Sequence, residues 1–130
     1  MRIKLTSIMV DNQEKALRFY TGVLGFRKKN EIPVGEYKWL TVVSPEGPDD
    51  VELSLEPNAN PAAKTFQQAM FAQGIPLAAF EVSDIAGEYT RMQGLGVVFT
   101  AGPTDAGPVK IAVFSDTCGN LIQLYQHAQG

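Results

Sequence analysis

Val10-Asp11-Asn12-Gln13-Glu14-Lys15-Ala16-Leu17-Arg18-Phe19-Tyr20, continued by Val23-Leu24-Gly25-Phe26, is the stretch from which the fold can be read. Before it, residues 3–10 alternate as an extended strand. Asp11 and Glu14 have capping-box spacing, in which each side chain satisfies a free donor at a helix start. Leu17, Tyr20, Val23 and Leu24 recur at helical spacing, with Lys15 and Arg18 on the wet side. Gly25 then supplies the left-handed stop. Strands are expected over residues 26–31, 37–43 and 51–56. Pro33-Val34-Gly35 and Pro45-Glu46-Gly47-Pro48-Asp49-Asp50 separate them, both rich in turn formers. The order is strand, helix, three strands.

The same order returns in the second half. Thr41-Val42-Val43-Ser44 falls on Ala112-Val113-Phe114-Ser115, and Leu24-Gly25-Phe26 falls on Leu95-Gly96-Val97. At that shift Glu52 meets Gln123 and Leu53 meets Leu124. With one extra residue, Val10-Asp11-Asn12 meets Val82-Ser83-Asp84. A strand over 77–82, a helix over 84–93 and strands over 97–101, 109–114 and 120–126 follow, the last three joined by Gly102-Pro103-Thr104-Asp105-Ala106-Gly107-Pro108 and Asp116-Thr117-Cys118-Gly119. Between the halves, Asn60-Pro61 reads as a helix cap with proline at the first helical position, opening a short linking helix that ends at Gly74. The expected fold is α+β: two tandem βαβββ modules, about 1–58 and 75–130, whose curved, mostly antiparallel sheets surround a cleft.

Composition narrows the function. The chain has 130 residues, 45% of them hydrophobic and 19% charged, enough for a real core. No apolar run reaches the about 20 residues of a membrane helix, and the start lacks an apolar leader, so a cytoplasmic protein is expected. A net charge of −3, with Arg27-Lys28-Lys29 the one basic run, argues against nucleic acid. The single cysteine, Cys118, excludes a disulfide framework, and nothing beside it activates a thiolate. The single histidine, His127, reads as an exposed bystander near the terminus.

The opening stretch, together with Gly119-Asn120-Leu121-Ile122-Gln123-Leu124, resembles the vicinal oxygen chelate superfamily, which holds glyoxalase I, bleomycin-resistance proteins, fosfomycin-inactivating transferases and extradiol dioxygenases. The resemblance implies the repeated module. It also implies metal-ligand positions at Leu5, Glu52, Leu77 and Gln123. Two of these are leucines without a lone pair, whereas zinc and its relatives take three or four donor ligands. No metal and no cofactor are therefore expected.

Strand alternation puts Leu5, Ser7 and Met9 on one face with Glu52, Ser54 and Glu56, and with Trp39, Thr41 and Val43. In the second half it groups Leu77, Ala79 and Glu81 with Gln123 and Tyr125, and with Lys110, Ala112 and Phe114. The opposite parity is almost wholly apolar and belongs under the helices. The mixed face suits a small organic ligand, with Leu5, Met9, Trp39, Glu52, Leu77, Gln123 and Tyr125 as its candidate contacts. The resemblance to the bleomycin-resistance branch implies capture of a molecule without altering it, by a homodimer. The alternative is a metal-dependent glyoxalase-like lyase or isomerase, or a dioxygenase, using Glu52 as general base. A third is an interaction subunit whose concave face is plugged by Trp39 and Phe114.

Overall fold

The structure, a computed structural model, describes residues 1–128. It divides into two compact units, Met1–Gln68 and Ala69–Gly130. Among the described residues there are eight strands and three helices, in a mixed α+β arrangement with two four-stranded sheets.

The first unit runs β1 (Leu5–Val10), α1 (Gln13–Gly22), β2 (Arg27–Val34), β3 (Tyr37–Val43) and β4 (Glu52–Pro57). The strands lie in the order β1-β4-β3-β2, with β1 parallel to β4 and the other pairs antiparallel. One face is apolar: Ile8, Val10, Leu40, Val42 and Leu55 are buried, with Ala16, Phe19 and Tyr20 of α1. Each large buried side chain stabilises by about 1.5–3 kcal/mol through removal from water. The α1 start is fixed by a buried glutamine. Gln13 Nε2 donates to the carbonyls of Lys38 and Leu55, each at 2.9 Å, and its Oε1 accepts from the Lys38 amide at 3.0 Å. The helix cap is Asn12, whose Oδ1 accepts from the Lys15 amide at 2.9 Å. Asp11 instead pairs through its carboxylate with the Lys15 ammonium at 2.9 Å, so the expected Asp11–Glu14 capping box gives way to a single cap at Asn12. At the other end Gly25 has φ +84°, and the Phe26 amide reaches back to the Tyr20 carbonyl at 3.0 Å.

The helix α2 (Pro61–Ala72) follows, and the boundary between the units falls within it. Asn60 Oδ1 accepts from the Ala62 amide at 2.9 Å, as the Asn-Pro signal predicts. Gln67 ties α2 to the first unit by donating to the Met9 carbonyl and accepting from Asn58, both at 2.8 Å.

The second unit repeats the order with β5 (Ala78–Glu81), α3 (Ile85–Gly94), β6 (Phe99–Ala106), β7 (Val109–Ser115) and β8 (Leu121–His127), arranged β5-β8-β7-β6. Asp84 caps α3 through the Gly87 amide, and Gln126 Oε1 accepts from the Ile85 amide at 2.8 Å. The β7–β8 turn is built around buried Asp116. Its Oδ1 accepts from the Cys118 and Asn120 amides at 2.8 and 3.0 Å, and its Oδ2 accepts from Asn120 Nδ2 at 2.8 Å. Thr117 sits inside this clamp at φ 63°, the one non-glycine residue with positive φ among those described.

Two expected connections are strand instead. Pro33-Val34 continues β2, with Pro33 opposite Lys38, and Gly102–Ala106 continues β6. Both are edge strands, where a missing N–H faces away from the ladder, and β6 absorbs Pro103 in an irregular stretch between Ala101 and Thr104. A larger correction concerns β7. Gln123 lies opposite Val113, while Ala112 lies opposite Leu124 and Phe114 opposite Ile122. Ala112 and Phe114, and Lys110 with them by alternation, thus share the face of Ile122 and Leu124, not that of Gln123. Phe114 is fully buried there against Phe99, with ring centroids 5.6 Å apart, and Tyr89 of α3 packs edge-on to Phe99 at 4.7 Å. The short turn clamped by Asp116 sets this register, opposite in parity to the longer β3–β4 loop. Phe114 therefore cannot plug the open face.

Candidate functional site

In the first unit, the sheet face away from α1 carries the polar groups. Leu5 stands opposite Glu52, Ser7 opposite Ser54 and Met9 opposite Glu56. Across β3, Thr41 pairs with Ser54, and beyond it Asn30 of β2 pairs with Thr41. The four neighbours Ser7, Ser54, Thr41 and Asn30 thus form a polar row across the sheet, with Glu52 one pleat away. Thr41 and Ser54 are buried, at 0% and 1% exposure, an unusual place for two hydroxyls. Glu52 Oε1 accepts from Thr41 Oγ1 at 2.7 Å and from Asn30 Nδ2 at 2.8 Å, and Asn30 Nδ2 also lies 3.1 Å from Thr41 Oγ1. This closed triangle fills both lone pairs of Oε1 and fixes the carboxylate plane, leaving Oε2 directed elsewhere.

Of the residues expected to meet a ligand, Leu5, Met9, Trp39 and Glu52 share this face. Leu5 is exposed, whereas Met9, Trp39 and Glu52 are half-buried. In the second unit Gln123 and Tyr125 are half-buried neighbours on one face, opposite Ala79 and Glu81. The partner of Gln123 is Ala79, not Leu77, which precedes β5 and donates its amide to the Leu121 carbonyl at 3.0 Å. Tyr125 packs edge-on against His127 at 5.6 Å, and His127 Nε2 is 3.2 Å from Glu81 Oε2. Asn30 is the residue that sequence reading missed. Counting back from a Gly35-Glu36 turn puts it opposite Thr41, but the expected turn was centred too early.

The four positions at which the resemblance implies metal ligands do not fit a divalent ion. Leu5 and Leu77 offer no donor, Gln123 sits between Ala79 and Val113, and Glu52 has one oxygen committed to Thr41 and Asn30. Among the described residues no three His, Cys, Asp or Glu side chains gather where they could hold one.

A charged cluster on the other face stiffens the β2–β3 hairpin. Glu31 takes Lys28 Nζ at 2.7 Å and Lys38 Nζ at 2.8 Å, and Lys38 also lies 3.7 Å from Glu14 of α1. Hydrogen bonds from Lys28 first and Lys38 second pull the Glu31 carboxyl down from 4.5 to about 2, while the Glu31 contact raises Lys38. The Glu31 contribution to stability is therefore complete above pH 4.5 and is lost as pH falls toward 2. Carboxyl NMR titration is expected to give a Glu31 midpoint near 2, moving back toward 4.5 in Lys28→Met. An ordinary midpoint in the unaltered chain rules the cluster out.

Against this geometry, residues 2–124 match the sequence profile of the Glyoxalase/Bleomycin resistance protein/Dioxygenase superfamily. The chain belongs to that superfamily. The uncharacterized protein YurT of Bacillus subtilis (strain 168) is 53% identical over 97% of this chain and 99% of its own. A lactoylglutathione lyase of Neisseria meningitidis (serogroup A / serotype 4A, strain DSM 15465 / Z2491) is 31% identical, covering 100% of this chain and 94% of its own. Among solved structures, TnmS3, an antibiotic binding protein from Streptomyces sp. CB03234, aligns with a TM-score of 0.78 at 28% identity, covering 98% of this chain and 97% of that one. Superfamily membership thus spans both a lyase and a binding protein, and the scaffold alone does not choose between them.

Proposed function

We propose that this chain captures a small organic molecule and releases it unchanged, as a binding protein of the glyoxalase/bleomycin-resistance type rather than a metal-assisted lyase. One observation carries the reading: Glu52 is built into the sheet by Thr41 and Asn30 and faces Leu5, where a metal site needs a second donor. The likeness to TnmS3 supports it. So does the mixed face of Leu5, Met9, Trp39 and Glu52 in the first unit, and of Leu77, Gln123 and Tyr125 in the second, apolar bodies beside a few placed polar groups. The working form is a homodimer: Ile32 and Val34 lie exposed, at 53% and 61%, on edge strand β2, which a second copy covers. No helix among the described residues is long and apolar enough to cross a membrane. The proposed ligand is a dissolved molecule met in the cytoplasm, and a net charge of −3 disfavours nucleic acid as the partner.

Native mass spectrometry against a panel of antibiotics tests this. The expected result is a two-chain species retaining one panel compound, recovered at unaltered mass. The second reading, a lyase, rests on the 31% identity to lactoylglutathione lyase. Turnover of S-lactoylglutathione on adding nickel or zinc, abolished in Glu52→Gln, establishes the lyase and overturns capture.

A further inference from the structure

Ser54 Oγ is the one buried side-chain oxygen or nitrogen among the described residues with no hydrogen-bond partner. The residue is 1% exposed, in the middle of a sheet, where an unsatisfied hydroxyl is costly. Its neighbours explain why nothing within the sheet satisfies it. Thr41 has turned its hydroxyl proton toward Glu52 and accepts from Asn30, so it has no proton left to donate to Ser54. Ser7, opposite Ser54 on β1, is exposed. Glu52 stands two residues before Ser54 on the same strand face, about 6.6 Å away along the backbone, with Oε2 outside the triangle. One small group placed between them reaches both at hydrogen-bond distance.

We propose that Ser54 and Glu52 form a seat for a hydroxyl group of a small organic ligand, the hydroxyl donating to Glu52 Oε2 while accepting from Ser54 Oγ. A carboxylate oxygen only accepts, so the ligand must bring a hydrogen. A serine hydroxyl does either, so the same ligand oxygen completes the pair. Ethers and ketones lack the hydrogen and cannot use the seat. The triangle of Asn30, Thr41 and Glu52 is the positioning device, holding the carboxylate still before a ligand arrives. This deepens the binding reading and rests on it.

Phenol and anisole, differing in the one hydrogen, are the probes. In amide NMR of the full chain, phenol is expected to shift the signals of Thr41, Glu52 and Ser54 saturably. Its apparent Kd should be at least about fivefold below that of anisole, the usual worth of one hydrogen bond. Ser54→Ala should weaken phenol binding by about fivefold while the Tm stays equal or rises by about 2–4 °C, because an unpartnered buried hydroxyl has gone. A structural serine would show the reverse, a lower Tm with phenol affinity intact. Glu52→Gln, which removes the carboxylate that takes the ligand hydrogen, should bring the two probes within about twofold. Equal binding of both probes by the unaltered chain, or no shifts at these amides, overturns the seat. An antibiotic retained without any phenol preference sinks the seat and leaves capture standing. Phenol preference with turnover of S-lactoylglutathione does the opposite.

Discussion

Truncation of Phe114 to alanine is expected to lower the unfolding free energy by about 3–5 kcal/mol, the largest single effect in the chain. The ring is fully buried, and it is the inner member of a stack in which Phe99 lies 5.6 Å away and Tyr89 of α3 packs on Phe99. Removing it takes away transfer free energy and opens a cavity between α3 and the second sheet, which rigid strands cannot close. For a chain of this size the Tm should fall by roughly 10–20 °C. Ligand affinity of the surviving folded fraction should not change, because Phe114 faces α3 and not Gln123. Thermal unfolding read beside binding separates the two. A stable variant that has lost its ligand would return Phe114 to the open face.

Asp116→Ala is expected to cost about 3–4 kcal/mol in urea unfolding, far more than a turn residue usually does. The carboxylate receives two backbone amides and the Asn120 side chain, all buried, and bonds to a charged acceptor are worth about 1.5–3 kcal/mol each. Alanine satisfies none of them and leaves the donors orphaned. It also removes what holds Thr117 at φ 63°, a conformation a β-branched residue resists. Asp116→Asn keeps one acceptor oxygen and should lose about half as much. A loss below about 1 kcal/mol in the alanine variant is incompatible with the clamp.

Most of the fold is legible in the sequence because its signals are local. Alternation, helical spacing, Gly25 and the Asn60-Pro61 cap each act within a few residues, and the structure obeys them. What escapes is set between strands. Pro33 and Pro103 read as breaks, yet at a sheet edge a residue without an N–H costs the ladder nothing. The face of β7 depends on how many residues the Asp116 turn holds, and one residue more or less exchanges every side chain between faces. The candidate site divides in the same way. Glu52, Thr41 and Ser54 fall on one face by simple alternation, whereas placing Asn30 opposite Thr41 and Ala79 opposite Gln123 requires the register between strands. That Glu52 is bound into a triangle is a matter of side-chain geometry, and no spacing announces it.

The opposite parities of β3 and β7 bear on anyone who would redesign this protein by copying one half onto the other. The sequence repeat pairs Thr41 with Ala112, so transferring the hydroxyl there looks like the natural way to give Gln123 the partner that Glu52 has. Ala112 is fully buried opposite Leu124, on the side that α3 covers. A threonine at that position would push an oxygen into hydrocarbon and leave Gln123 as lonely as before. The repeat survives as an order of elements, but its two copies do not share a common set of addresses.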